Sequence, residues 1–307
     1  AIRSMNMTLT LFPAPCFPGG IAAVLARAFV ENHGIVCSCV FRNGKFGFEI
    51  FDTVNDLHKY AGSKYVKSDP KDIYKNIKKL LMDNKKVLFI GLPCQAAALK
   101  RYIGEKYEES LYLVDLICHG TPSPKILDNY LNCYSYSLST LQDIKFRNNN
   151  RYQVCCDGKA IVPKRLIDSY IHAFLNSLIQ TENCYHCRYA SVKRISDITI
   201  GDSWGSELDS DEVNKGVSLI LCQTIKGADL IKSADIHLEY VDINKAVEAN
   251  AQLNHPSEMP AEREKFFRYI DKGCDFNTAM KKCYPKIYFK QDIKKLLLKL
   301  KIIDSTN

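Results

Sequence analysis

The chain has 307 residues, 46% of them apolar and 25% charged, ordinary globular usage that excludes disorder as its main state. Lysine and arginine total 42 against 34 acidic residues, a net charge of +8 that suits anionic ligands without requiring nucleic acid. Thirteen cysteines, an odd number in a chain far larger than a disulfide-stapled mini-protein, are read as reduced thiols of a cytoplasmic protein.

In the opening segment, Arg3 precedes a short apolar run, but Pro13, Pro15, Pro18 and Gly19-Gly20 break the uniform stretch that an export signal needs. No apolar run approaches the ~20 residues that span a bilayer, so a soluble protein without a transmembrane segment is expected. Residues 21–33 carry a helical apolar period with Gly34 as the stop, and residues 35–41 and 46–51 read as a hairpin around Asn43-Gly44. Asp69-Pro70 opens a helix that runs to about residue 84. Residues 86–90 form an apolar strand that feeds Gly91-Leu92-Pro93-Cys94-Gln95 into a helix over 96–102. The pattern then repeats: a strand over 111–117 ends at Cys118-His119-Gly120, and Ser123-Pro124 opens a helix over 125–134. Buried strands alternating with helices imply a partly parallel sheet, whose ligands sit beyond the carboxyl ends of the strands, where Cys94 and Cys118 both fall.

From residue 143 the strands shorten (143–146, 152–156, 197–200, 217–224 and 236–241) and alternate with helices such as 165–179; the tail is helical over 262–271 and over the lysine-rich 291–303. The last helix reads as a packed surface helix with solvated lysines and a core stripe, in preference to one lying on an anionic membrane. The expected fold class is α+β (mixed α/β): a partly parallel central sheet with flanking helices, plus a smaller α+β region carrying a C-x-x-C knuckle. The expected division is into residues 1–142 and 143–307.

The knuckle is Cys184-Tyr185-His186-Cys187, a spacing that lets two thiolates reach one metal ion or one iron-sulfur cluster from a short turn. A zinc knuckle, a redox dithiol and an incidental pair are all compatible with it. Sheet geometry gathers Cys94 and Cys118 on one edge, which brings four thiolates together from three segments. Cys94 at a helix N-terminus, with His119 as base, has a rival reading as a nucleophile of lowered pKa. Cys37, Cys39, Cys133, Cys155, Cys156, Cys222, Cys274 and Cys283 are read as small core hydrophobes. Gly19-Gly20 before a helix, and Gly62-Ser63-Lys64-Tyr65-Val66, have the ingredients for holding phosphate. No G-x-G-x-x-G, Walker or H-E-x-x-H motif occurs.

Taken in order, Gly19-Gly20-Ile21, Gly62-Ser63-Lys64-Tyr65, the run Val87 to Gln95 through Gly91-Leu92-Pro93-Cys94, Asp115-Leu116-Ile117-Cys118-His119-Gly120, Pro122-Ser123-Pro124, Cys184-x-x-Cys187 and Asp197-x-Thr199-x-Gly201-Asp202-x-Trp204-Gly205 resemble the coenzyme F(420) hydrogenase/dehydrogenase beta-subunit family. The likeness extends through Asn214-Lys215-Gly216-Val217-Ser218 to Arg263-x-x-Phe266-Phe267 and covers most of the chain. It implies an iron-sulfur flavoprotein oxidoreductase, in which FAD exchanges a hydride with a deazaflavin or another organic partner and single electrons pass to a 4Fe-4S cluster. On this resemblance Cys94, Cys118, Cys184 and Cys187 ligate the cluster, and Gly19, Gly20, Ser63, Lys64 and Tyr65 line the flavin. No catalytic residue is assigned.

Two departures qualify the match. A ferredoxin-like segment with a dense cysteine run is missing, which implies that a separate electron-transfer protein, a ferredoxin or other redox subunit, is the partner. Cys16-Phe17-Pro18 stand ahead of Gly19-Gly20, where related chains usually carry small hydroxyl residues. Similar chains are also encoded beside surface-polysaccharide genes, so deazaflavin is one substrate class among several. Two alternatives from other classes stay open: a zinc-stabilised binding module that uses the same four cysteines without redox activity, and a Cys/His thiol hydrolase built on Cys94 and His119.

Overall fold

The computed structural model describes residues 7–11, 20–148, 151–204, 216–234 and 236–302. The motif positions Cys16, Phe17, Pro18, Gly19, Gly205, Asn214 and Lys215 lie outside them.

The strands in chain order are β1 (Met7–Leu11), β2 (Ile35–Arg42), β3 (Lys45–Phe51), β4 (Val87–Gly91), β5 (Leu111–Leu116), β6 (Ile144–Asn148), β7 (Arg151–Cys156), β8 (Lys159–Ala160), β9 (Ile198–Asp202), β10 (Ser218–Cys222) and β11 (Leu238–Tyr240). Eight of them form one sheet in the order β11-β1-β10-β9-β5-β4-β2-β3, and β6-β7-β8 form a second. The centre of the large sheet, β9-β5-β4-β2, is parallel, and its flanks are antiparallel. The expected fold class, a mixed sheet with flanking helices and a smaller region beside it, is the one observed.

Local chemistry explains each element of the frame. Asn43 (φ 49°) and Gly44 (φ 73°) are both left-handed, as a tight hairpin between Arg42 and Lys45 requires. All five residues of β4 are buried, because Val87 and Phe89 face one apolar layer and Leu88 and Ile90 the other. The first layer is covered by α2 (Ile73–Met82) and α3 (Pro93–Ile103), the second by α1 (Gly20–Glu31) and the helix Ile225–Ser233. A separate core forms where α4 (Pro124–Asn132), α5 (Ser169–Leu175), the small sheet and the helices Glu262–Asp271 and Phe276–Cys283 meet. Its largest buried rings are Tyr130, Phe146, Tyr170, Phe266 and Phe276.

Three boundaries differ from expectation. Helix α2 starts at Ile73 and not at Pro70, because Asp69 bridges to Gly47 and its carboxylate accepts the N–H of Lys71, which turns left-handed at φ 40°. Helix α5 covers only part of residues 165–179: Asp168 caps it through the N–H groups of Tyr170 and Ile171, and Ser177 at φ 55° follows its end. The last helix begins earlier, with Pro285 at its first turn, and runs Pro285–Lys299. Its apolar positions are not the core stripe expected of them. Tyr288 is buried, whereas Phe289, Ile293, Leu296 and Leu300 are exposed.

The sheet is also fastened by a buried carboxylate. Asp197, just ahead of β9, accepts the Leu113 N–H at 2.8 Å and the Thr224 hydroxyl at 2.7 Å, and lies 3.6 Å from the Lys226 ammonium. One side chain thus joins β5, β9 and the head of the helix Ile225–Ser233. Removing it leaves the buried Leu113 N–H without its acceptor and takes the counter-charge from the Lys226 ammonium, which keeps only the carbonyls of Glu108 and Leu111. Asp197→Ala should therefore lower unfolding free energy by about 3–5 kcal/mol, measured as a reduced urea midpoint with an unchanged slope.

Candidate functional site

The site grows from two adjacent strand ends. β4 pairs in parallel with β5, Gly91 opposite Asp115, and each strand exits the sheet toward a cysteine. After β4, Pro93 and Cys94 form the first turn of α3. Gln95 stabilises that turn, its carbonyl oxygen accepting the Leu92 N–H at 3.1 Å while its amide donates to Ser68 Oγ at 3.0 Å. After β5, the Ile117 N–H donates to Ile200 O at 2.8 Å, and the chain then turns through Cys118, His119 and Gly120. Gly120 has φ +108°, and a Cβ there would stand 2.9 Å from Gln180 Cδ, so this turn admits no side chain. The Gly120 N–H lies 3.4 Å from Cys118 Sγ and donates to it.

The knuckle docks onto this exit. Pro122 bridges to Gln180, and the Thr181 N–H donates to Thr121 O at 2.9 Å. A short turn over Glu182–Cys184 follows, with Cys184 Sγ 3.3 Å from Thr181 Oγ1 and 3.9 Å from Thr121 Oγ1. From the other side, Arg263 stacks on the rings of Tyr185 (4.8 Å) and Phe267 (4.6 Å) and donates to Leu178 O at 2.8 Å and Tyr185 Oη at 3.0 Å. The Arg263-x-x-Phe266-Phe267 motif, which sequence reasoning left without a role, holds the knuckle in place.

Cys118 lies within electrostatic reach of Cys94, Cys184 and Cys187, and Cys94 within reach of the last two. Burial pushes the Cys94 thiol up, and the charges of Cys187 and then Cys184 push it further. Burial likewise takes Cys118 to about 12, against the Gly120 N–H, with Cys184, Cys94 and Cys187 adding to the rise. Cys94 is the exposed member, and the other three are half-buried. Among the described residues every cysteine is free; of the remaining eight, Cys37, Cys155, Cys156, Cys222 and Cys283 are buried, and Cys39, Cys133 and Cys274 are half-buried.

The Cys94 and His119 dyad does not form. His119 Nε2 lies 3.2 Å from both Leu175 O and Ser177 Oγ, and Nδ1 lies 3.1 Å from Gln252 Nε2, so both ring nitrogens are engaged away from Cys94. Burial lowers the His119 pKa, and the Cys94 thiol is raised, the reverse of an activated nucleophile.

Behind Cys118, Asp115 and Arg194 form a fully buried ion pair at 3.6 Å. Arg194 also donates to Ser191 O at 2.6 Å and Gln252 O at 3.3 Å. The pair ties the segment that follows the knuckle to the strand that carries Cys118. Sequence reasoning did not single it out, although Asp115 inside an otherwise apolar strand was a visible signal.

The residues expected to line a flavin divide. Gly20 begins α1 at φ +56°, where a Cβ would stand 3.3 Å from Ser218 Oγ, and Tyr60 Oη donates to Ala22 O at 3.2 Å, so Tyr60 adjoins the head of that helix. Ser63 is exposed. The Lys64 ammonium, however, donates to Tyr60 O and to Ala61 O at 3.1 Å, and burial lowers its pKa to about 8. The Tyr65 ring stacks on Phe174 at 4.5 Å and on Tyr152 at 6.1 Å. Both side chains are thus engaged within the protein. Residue 67 then reaches the thiol site: its N–H donates to Pro122 O at 2.9 Å, and its side-chain charge acts on Cys94.

Comparison with known proteins gives a consistent picture. The family model for the C terminus of the coenzyme F(420) hydrogenase/dehydrogenase beta subunit matches residues 84–249, more than half of the chain and a span that includes all four site cysteines. Among solved structures, a chain of the xenon-derivatised F(420)-reducing NiFe hydrogenase complex from Methanosarcina barkeri superposes with a TM-score of 0.53 at 17% identity. The alignment covers 88% of this chain and 95% of that one, which establishes a shared fold. No curated protein matches the chain.

The geometry of the Cys118 turn is open to a direct check. Gly120→Ala should cost about 1–3 kcal/mol of stability in urea denaturation, through its positive φ and the clash with Gln180. Gly158→Ala, also at positive φ but with nothing within 4 Å of its Cβ, should cost less.

Proposed function

This chain belongs to the coenzyme F(420) hydrogenase/dehydrogenase beta-subunit family, and on that premise we propose that it is an oxidoreductase component whose Cys94, Cys118, Cys184 and Cys187 hold a 4Fe-4S cluster. The observation that carries the reading is the set of four thiols from three chain segments, each of Cys94 and Cys118 feeling the charge of the other members. Among the described residues, no three His, Cys, Asp or Glu side chains are grouped to hold one ion.

The chain's residues have definable tasks in this reading. The Gly120 N–H donates to Cys118 Sγ, and Thr181 and Thr121 present hydroxyls to Cys184 Sγ, contacts that stabilise negative charge on sulfur and raise the potential of a bound centre. Lys67 adds a positive charge beside Cys94. The group they hold would supply one-electron transfer.

The second part of the proposal is hydride exchange with a deazaflavin or related organic carrier by way of FAD, with a separate redox protein receiving or supplying the electrons. The head of α1 beside Ser218 supports an anion such as a flavin phosphate. Lys64 and Tyr65 do not fit as flavin contacts, so this part rests on the helix terminus and the family alone. The hydrogenase complex that supplies the structural neighbour supports an assembly of several chains.

Anaerobic reconstitution with iron and sulfide tests the first part. The expected result is about four iron and four sulfide per chain, lost on Cys187→Ser. Stoichiometric zinc, or no metal uptake, would overturn it. Titration of the apoprotein with FAD tests the second part separately, because flavin fluorescence quenching does not depend on the cluster.

A further inference from the structure

The helix Pro285–Lys299 presents a surface that the redox reading does not use. Phe289, Ile293, Leu296 and Leu300 recur four, three and four residues apart, which aligns them on one side of the helix. Their exposures are 67%, 47%, 55% and 58%, while Tyr288 packs into the core beneath. Ile302, just beyond, is 64% exposed. An apolar stripe of this kind is expected against a protein interior, and here it faces outward.

The charges say what covers it. Lys286, Lys290, Lys294, Lys295 and Lys299 lie on the same helix, and Lys301 follows. Asp292 is its one acid, and both its oxygens are taken by Lys281 of the preceding helix, at 2.8 and 2.9 Å. A second copy of this chain would set one lysine-rich helix against another, which like-charge repulsion disfavours. The stripe lies on one side of a single helix about 22 Å long, with lysines on both sides of it. Lysine stems cover apolar surface while their ammonium groups reach outward to anionic headgroups.

We propose that this helix docks the protein on an anionic lipid bilayer, lying in the interface with Phe289, Ile293, Leu296 and Leu300 in the acyl boundary and its lysines among the headgroups. No helix among the described residues is long and apolar enough to cross a membrane, so the association is peripheral and reversible.

The test uses the full chain and sedimentation with lipid vesicles. Partition onto phosphatidylserine-containing vesicles should exceed that onto pure phosphatidylcholine by about tenfold or more, and should weaken with added salt. The double variant F289S/L296S and the charge variant K290E/K294E should each remove most of the binding. These positions are exposed, and unchanged thermal unfolding of the variants would show that the fold is intact. Equal partition onto both vesicle types, binding unaffected by either variant, or recovery of wild-type protein wholly in the supernatant would overturn the proposal. So would a dimer in sedimentation velocity without lipid that F289S/L296S dissolves, since the stripe would then be covered by a second copy. Because the readout needs no metal or flavin, its failure and that of the redox reading are distinguishable.

Discussion

Parallel pairing of β4 with β5 is the constraint on which the site depends. Parallel strands run in the same direction, so their carboxyl ends emerge on one edge of the sheet. The register sets Gly91 beside Asp115, and Cys94 and Cys118 each follow three residues later. Two thiols 24 positions apart in sequence are therefore delivered to one edge of the sheet. No local interaction between them is needed, and a slip of the pairing by one residue would swap the two buried faces of β4 between its apolar layers and lose the alignment.

The rest of the molecule supplies what the strand ends lack. The knuckle arrives on a chain that pairs with the exit of β5 through Thr121 and Thr181, and Arg263 clamps it from a distant helix. The buried Asp115 and Arg194 pair adds a second tie from behind. A buried ion pair is a weak contributor to net stability, because desolvation opposes the attraction. Its value lies in specifying one arrangement: neither charge tolerates the loss of the other, so the segment after the knuckle has a single favourable seat. A site assembled from several remote segments needs such specification more than it needs additional apolar area.

Much of this was legible in the sequence, and the residues show why. Strand ends at Gly91 and Leu116, the Asn43-Gly44 turn and the capped helix at Ser123-Pro124 are encoded by neighbours in the chain. The cysteine positions follow from them, given a parallel sheet. What was not legible depends on partners far away. Asp69 looked like a helix start, but its pairing with Gly47 took it for a turn. Lys64 looked like a phosphate ligand, but its ammonium closes the carbonyls of Tyr60 and Ala61. The apolar period of Pro285–Lys299 was correct as a period, and only tertiary packing decides which face of a helix is covered.

The exposure of Cys94 has a consequence of its own. Cys118 is shielded by the β5 turn and Cys184 by two threonines, whereas Cys94 opens to the surface at the head of α3. Any centre shared by these sulfurs has one thin wall. Were they to hold one, as proposed, that wall would be the side open both to a partner's redox group and to dioxygen, so contact with a partner and susceptibility to air would share a single origin in the placement of one side chain.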